Sequence, residues 1–93
     1  MTGAGSDDPR IGQLRERISA NDLAIVEAVN ARLELVAELK RVKDEVGVGF
    51  LDPAREEQLL RFLAEANRGP LSAEGLRELY TELLALTKRE VAR

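Results

Sequence analysis

The sequence predicts an all-α chain of three helices, the first of them very long. Three observations carry this. Ala, Leu, Glu, Arg and Lys dominate, and no stretch alternates polar and apolar residues as a half-buried strand does. From Ile11 to Val46 apolar residues recur on a seven-residue rhythm, with no Gly or Pro between Gln13 and Val46. The helix breakers gather at two places beyond it, Gly47-Val48-Gly49 and Asn67-Arg68-Gly69-Pro70.

Each element has its own start and stop. Stepping alternately by three and four along the first helix gives Ile11, Leu14, Ile18, Asn21, Ile25, Ala28, Arg32, Leu35, Leu39, Val42 and Val46. Asp8-Pro9 suits its start, because proline at the first helical position loses no hydrogen bond. Gly47 and Gly49 end it. The second helix opens on Asp52 as N-cap with Pro53 behind it, and Glu56 and Glu57 in its first turn complement the helix dipole. Its buried stripe is Leu59, Leu60, Leu63 and Ala66. Asn67 to Pro70 stop it, and Ser72 caps a third helix with the stripe Leu76, Leu79, Tyr80, Leu83, Leu86, Thr87 and Val91. Residues 1–8 read as a disordered lead-in without the apolar core of a signal peptide, and 9–93 as one helical domain.

The first helix is too long for its own domain. At 1.5 Å per residue it extends on the order of 50 Å, whereas a compact globule of this chain length has a diameter of roughly 32 Å. Two shorter helices do not cover such a seam. The sequence therefore predicts an antiparallel helical homodimer related by a two-fold axis.

Composition removes most chemistries. The 93 residues contain no Cys and no His, so disulfides, thiolate catalysis, the commonest general base and the commonest metal ligand are all missing. No cofactor or metal is expected. The absence of cysteine fits a reducing, cytoplasmic setting, and no apolar run is long enough to span a membrane. A net charge of −3 and 3% aromatic residues argue against nucleic acid, which calls for basic surfaces and stacking platforms.

What remains is a set of charges in odd places. Asn21 and Arg32 interrupt the apolar seam. Asn21 reads as a register-setting polar residue. A buried Arg32 needs either a carboxylate from another helix or an anionic ligand. Lys43 follows Arg32 by three turns, so both point the same way, roughly 16 Å apart along the axis. Two long cationic side chains leaning together can bracket a small dianion. Arg55, beyond the glycine hinge, can close over the same place. Taken singly, Lys43 and Arg55 read as solvated surface charges; their joint placement is what points to a pocket. Arg15 lies roughly 25 Å from Arg32 in the same helix, too far to share one small ligand in cis. In an antiparallel dimer it reaches its neighbour's site; without the dimer it is an ordinary surface residue.

The stretch "LRERISANDLAIVEAVNARLELVAELKRVK", a glycine-containing loop and "DPAREEQLL" together resemble the all-helical chorismate mutases, and the resemblance runs from about Ile11 to Val91. It implies an intertwined homodimer of three-helix chains with two sites between long helices. It further implies that Arg15 is donated from the other subunit, that Arg32 and Arg55 bind substrate carboxylates, and that Lys43 hydrogen-bonds the ether oxygen of the breaking bond. Asp52 and Glu56 resemble the pair that meets the substrate hydroxyl and its surroundings, and Thr87 stands at a site position that is often serine. Arg32, Lys43 and Glu56 are the catalytic candidates. The implied reaction, chorismate to prephenate in phenylalanine and tyrosine synthesis, is a one-substrate pericyclic rearrangement needing no nucleophile, metal or proton transfer. It suits a chain without histidine.

One departure stands out. The family usually has Gln or Glu on the last helix, also at the ether oxygen; here that position is Val91, which donates nothing. Either Glu90 substitutes through a local shift or Lys43 acts alone and turnover is slow. Some small family members are activated by the synthase that opens aromatic biosynthesis, and such a partner is an expectation for this chain. Two other readings stay open: an isochorismate pyruvate lyase on the same scaffold, which needs the same cations, and a non-catalytic helical dimerisation or regulatory module.

Overall fold

The computed structural model describes residues 8–93. Among them it has three α-helices, α1 (Pro9–Val46), α2 (Pro53–Ala66) and α3 (Ala73–Val91), and no strand. The expected lead-in at 1–8 lies outside the described residues except for Asp8. The chain divides into two units between Arg32 and Leu33.

The first unit carries the larger part of α1. Asp8 caps the helix: its carboxylate accepts the Arg10 backbone N–H at 2.9 Å, and its carbonyl accepts the Ile11 N–H at 3.0 Å. The Arg10 side chain lies on the same carboxylate and, with that backbone bond, holds the Asp8 carboxyl below its ordinary range. Further along, Leu14, Ile18, Leu23, Ile25 and Val26 are each more than half exposed. Asn21 is exposed as well.

The second unit holds the end of α1 with α2 and α3. α1 stops where the sequence predicts. Gly47 takes φ 75°, a left-handed conformation that costs glycine nothing, and the Val48 N–H folds back onto the Lys43 carbonyl at 2.9 Å. Asp52 caps α2 by accepting the Arg55 N–H at 3.1 Å, with Pro53 in the first turn. Asn67 then builds the connection to α3. Its amide donates to the Leu71 carbonyl at 2.8 Å and its oxygen accepts from Gly69 N–H at 2.9 Å. The Ser72 hydroxyl oxygen accepts the Gly75 N–H at 2.9 Å. A Cβ on Gly75 would lie 3.0 Å from both Leu71 Cδ1 and Ser72 Oγ, so a larger residue here would have to displace these two side chains slightly.

α2 and α3 run antiparallel, with ion pairs Glu57–Arg77 at 3.2 Å and Glu56–Lys88 at 3.1 Å across them. Leu59, Leu60 and Leu63 are half-buried, as are Tyr80, Leu83, Leu86 and Val91. Two expected stripe positions are not covered: Ala66, at the last turn of α2, and Leu79, which is 53% exposed. The reason lies in how α3 is turned. Thr81, Leu84, Ala85 and Lys88 line a cleft against Pro53, Glu56, Glu57 and Leu60 of α2, leaving Leu79 on the flank that α2 does not reach. Among the described residues only Leu76 (7% exposed) and Thr87 (4%) are buried. In this unit Leu35, Leu39, Val42 and Val46 of α1 are each about half exposed or more.

Candidate active site

Lys43 is in the last turn of α1, where a cation complements the negative end of the helix dipole. It is half-buried. Its ammonium donates to the Phe50 carbonyl at 3.3 Å and lies 6.0 Å from the centre of the Phe50 ring. The hinge predicted around Gly47 and Gly49 therefore folds back over the lysine.

Across that hinge, α2 presents the next three candidates from its first turn. Asp52 is exposed, with one carboxylate oxygen committed to the cap. The exposed Arg55 guanidinium reaches Gln58 Oε1 at 3.5 Å. Glu56 is half-buried and is held by Lys88 of α3. Thr87, beside Lys88 in sequence, is buried and its hydroxyl donates to the Leu83 carbonyl at 2.7 Å. That bond spends the hydroxyl proton inside the helix, so toward a ligand the oxygen acts only as an acceptor.

The structure thus brings Glu56 to the end of α3 and Lys43 to the loop. Among the described residues Lys43 forms no ion pair with Asp52 or Glu56. Arg15 and Arg32 belong to the first unit, where Arg15 is exposed and Arg32 half-buried. Val91, the position without a donor, is half-buried, and the Glu90 carboxylate is turned to Arg93 at 3.6 Å.

Two residues escaped the sequence reading. Lys88 has no local signal, because its partner lies 32 residues away and the pairing depends on how α3 is rotated against α2. Phe50 had a signal that went unused: it is one of three aromatic residues, set in a loop otherwise built from glycine and aliphatic residues.

Within the second unit, a cation at the end of α1 and carboxylates at the start of α2 flank the glycine hinge. Residues 14–91 match the chorismate mutase type II family, and the chain belongs to that family. The chain is 29% identical to the bifunctional chorismate mutase/prephenate dehydratase of Pseudomonas aeruginosa over 85 residues, and 31% identical to that of Stutzerimonas stutzeri over 86. Each alignment covers 86% of this chain, which spans 23% of the length of those relatives. Among solved structures, form II of the Thermus thermophilus chorismate mutase matches with a TM-score of 0.85 at 32% identity, covering 90% of this chain and 96% of that one. Form I of the same protein matches at 0.82 and 33%, covering 84% and 98%. The all-helical fold predicted from the sequence agrees with these structures.

Proposed function

We propose that the chain is a chorismate mutase: it rearranges chorismate to prephenate in a cytoplasmic route to phenylalanine and tyrosine. The observation that carries this reading is that the family match, residues 14–91, spans every candidate: Arg15, Arg32, Lys43, Asp52, Arg55, Glu56 and Thr87.

The mechanism follows from the side chains. The two carboxylates of the substrate suit Arg32 and Arg55, whose planar forks bind bidentately. Holding both ends selects the diaxial, chair-like conformer in which the reacting carbons approach. As the ether bond lengthens, negative charge grows on its oxygen, and the Lys43 ammonium is the group to stabilise it. Asp52 and Glu56 are acceptors for the substrate hydroxyl and its surroundings. Thr87 is a polar contact at the edge of the ligand. Val91 offers no hydrogen bond and Glu90 is engaged with Arg93, so this reading rests the ether oxygen on Lys43 alone.

A second copy of the chain completes the site in this proposal. Support comes from each unit separately: both carry apolar α1 residues that are about half exposed or more, and few of the described residues are buried. Covering α1 with another α1 in antiparallel fashion supplies Arg15 in trans. An activating partner from the synthase of the same pathway is compatible with a lone lysine at the ether oxygen; equal turnover with and without it removes that part of the proposal.

The deciding experiment follows the loss of chorismate by absorbance and identifies the product. Prephenate is expected. Turnover of isochorismate to pyruvate and salicylate instead, or no reaction of either compound, refutes the reading.

A further inference from the structure

Lys43 is seven residues before Phe50, two turns apart had the helix continued. Instead α1 ends at Val46, Gly47 turns at φ 75°, and the Val48 N–H closes onto the Lys43 carbonyl. The reversal returns Phe50 to the lysine by two different contacts: a carbonyl oxygen 3.3 Å from Nζ and a ring centred 6.0 Å from it. Both residues are half-buried. Building on the function proposed above, we infer that Phe50 is a positioning residue for Lys43, fixing the direction of its ammonium and shielding it from water.

The chemistry is specific. An ammonium has three donors. The Phe50 carbonyl takes one, which aims the other two away from the loop without competing for all of them. The ring face attracts the same cation and occupies space that water would otherwise fill. A partly desolvated, fixed donor stabilises a developing oxyanion more strongly than one that must reorient in water. The effect weighs heavily here because Val91 gives the ether oxygen no second donor; a lysine acting alone has nothing to compensate for poor aim.

The test compares Phe50→Leu and Phe50→Tyr with the native chain, measuring kcat and KM for chorismate, helicity by circular dichroism and the Lys43 Cε proton shifts by NMR. Leucine keeps the apolar bulk and the carbonyl but removes the ring face. Phe50→Leu is expected to lower kcat by roughly 3- to 30-fold, the range of a cation–π contact, with KM within about twofold of native and helicity intact. Phe50→Tyr keeps a ring and is expected to hold kcat within about threefold. In the native chain and the tyrosine variant the Lys43 Cε protons resonate upfield, and in the leucine variant they do not. Gly47→Val, which strains the turn and leaves Phe50 unaltered, is expected to lower kcat in the same direction. The inference falls if Phe50→Leu matches native kcat, or if leucine and tyrosine variants lose activity equally. A native chain without chorismate turnover defeats the underlying reading instead, and the NMR shifts then report on the contact by themselves.

Discussion

Replacing Lys43 with alanine separates a catalytic lysine from a structural one by magnitude. In the folded chain the ammonium makes one hydrogen bond, to the Phe50 carbonyl, and one ring contact. Both are at a half-buried position, and the carbonyl left behind can turn to water. The stability loss expected from removing them is therefore modest, about 1–2 kcal/mol, or a fall in Tm of roughly 4–16 °C for a domain of this size. The catalytic loss is larger. Deleting a donor aimed at a developing oxyanion lowers kcat about 10²- to 10³-fold, close to 2.7–4 kcal/mol of transition-state stabilisation. With Val91 in place of a second donor, the upper end is expected. The assay is chorismate consumption at 25 °C, with circular dichroism confirming that the variant is folded at that temperature. Lys43→Gln, a neutral donor of similar reach, should fall between native and alanine. A folded Lys43→Ala that keeps more than about a tenth of native kcat refutes the reasoning and favours the non-catalytic module.

Three further predictions follow different lines. Mixing Arg15→Ala and Lys43→Ala chains, each nearly inactive alone, and allowing subunits to exchange should restore about a quarter of native activity. Half of the dimers are then mixed, and each has one intact site; no recovery despite exchange removes the donation of Arg15 in trans. Val91→Gln supplies a second donor near the ether oxygen and should raise kcat by about tenfold, while unchanged kinetics would show that this position does not reach the substrate. Ser72→Ala removes the acceptor of the Gly75 N–H and should cost about 1 kcal/mol, read as a Tm lower by roughly 4–8 °C with kcat untouched; a variant as stable as native would mean the cap contributes nothing.

The ends of the helices were legible because their determinants are local. Asp52-Pro53 and Ser72 cap where expected, and Gly47 stops α1 by the conformation only glycine takes easily. α1 begins at Pro9, before the apolar rhythm starts at Ile11, since Asp8 and Pro9 suffice to open a helix. Side-chain faces were less legible. A three-four rhythm identifies a stripe but not which neighbour covers which flank of it, so Leu79 read as core and is exposed. The chemical candidates depended on the family resemblance for their roles; of the two contacts that it did not supply, Lys88 to Glu56 depends on a helix pairing that no local pattern encodes, whereas Phe50 to Lys43 spans only the glycine turn that the sequence marks.

Among the described residues the buried interior consists of one leucine and one threonine, and this has a consequence for handling the protein. If a second copy supplies the missing cover, folding and association are a single equilibrium governed by mass action. Dilution then acts as a denaturant, the melting temperature climbs with chain concentration, and activity per chain declines in the very dilute solutions where enzymes are commonly assayed.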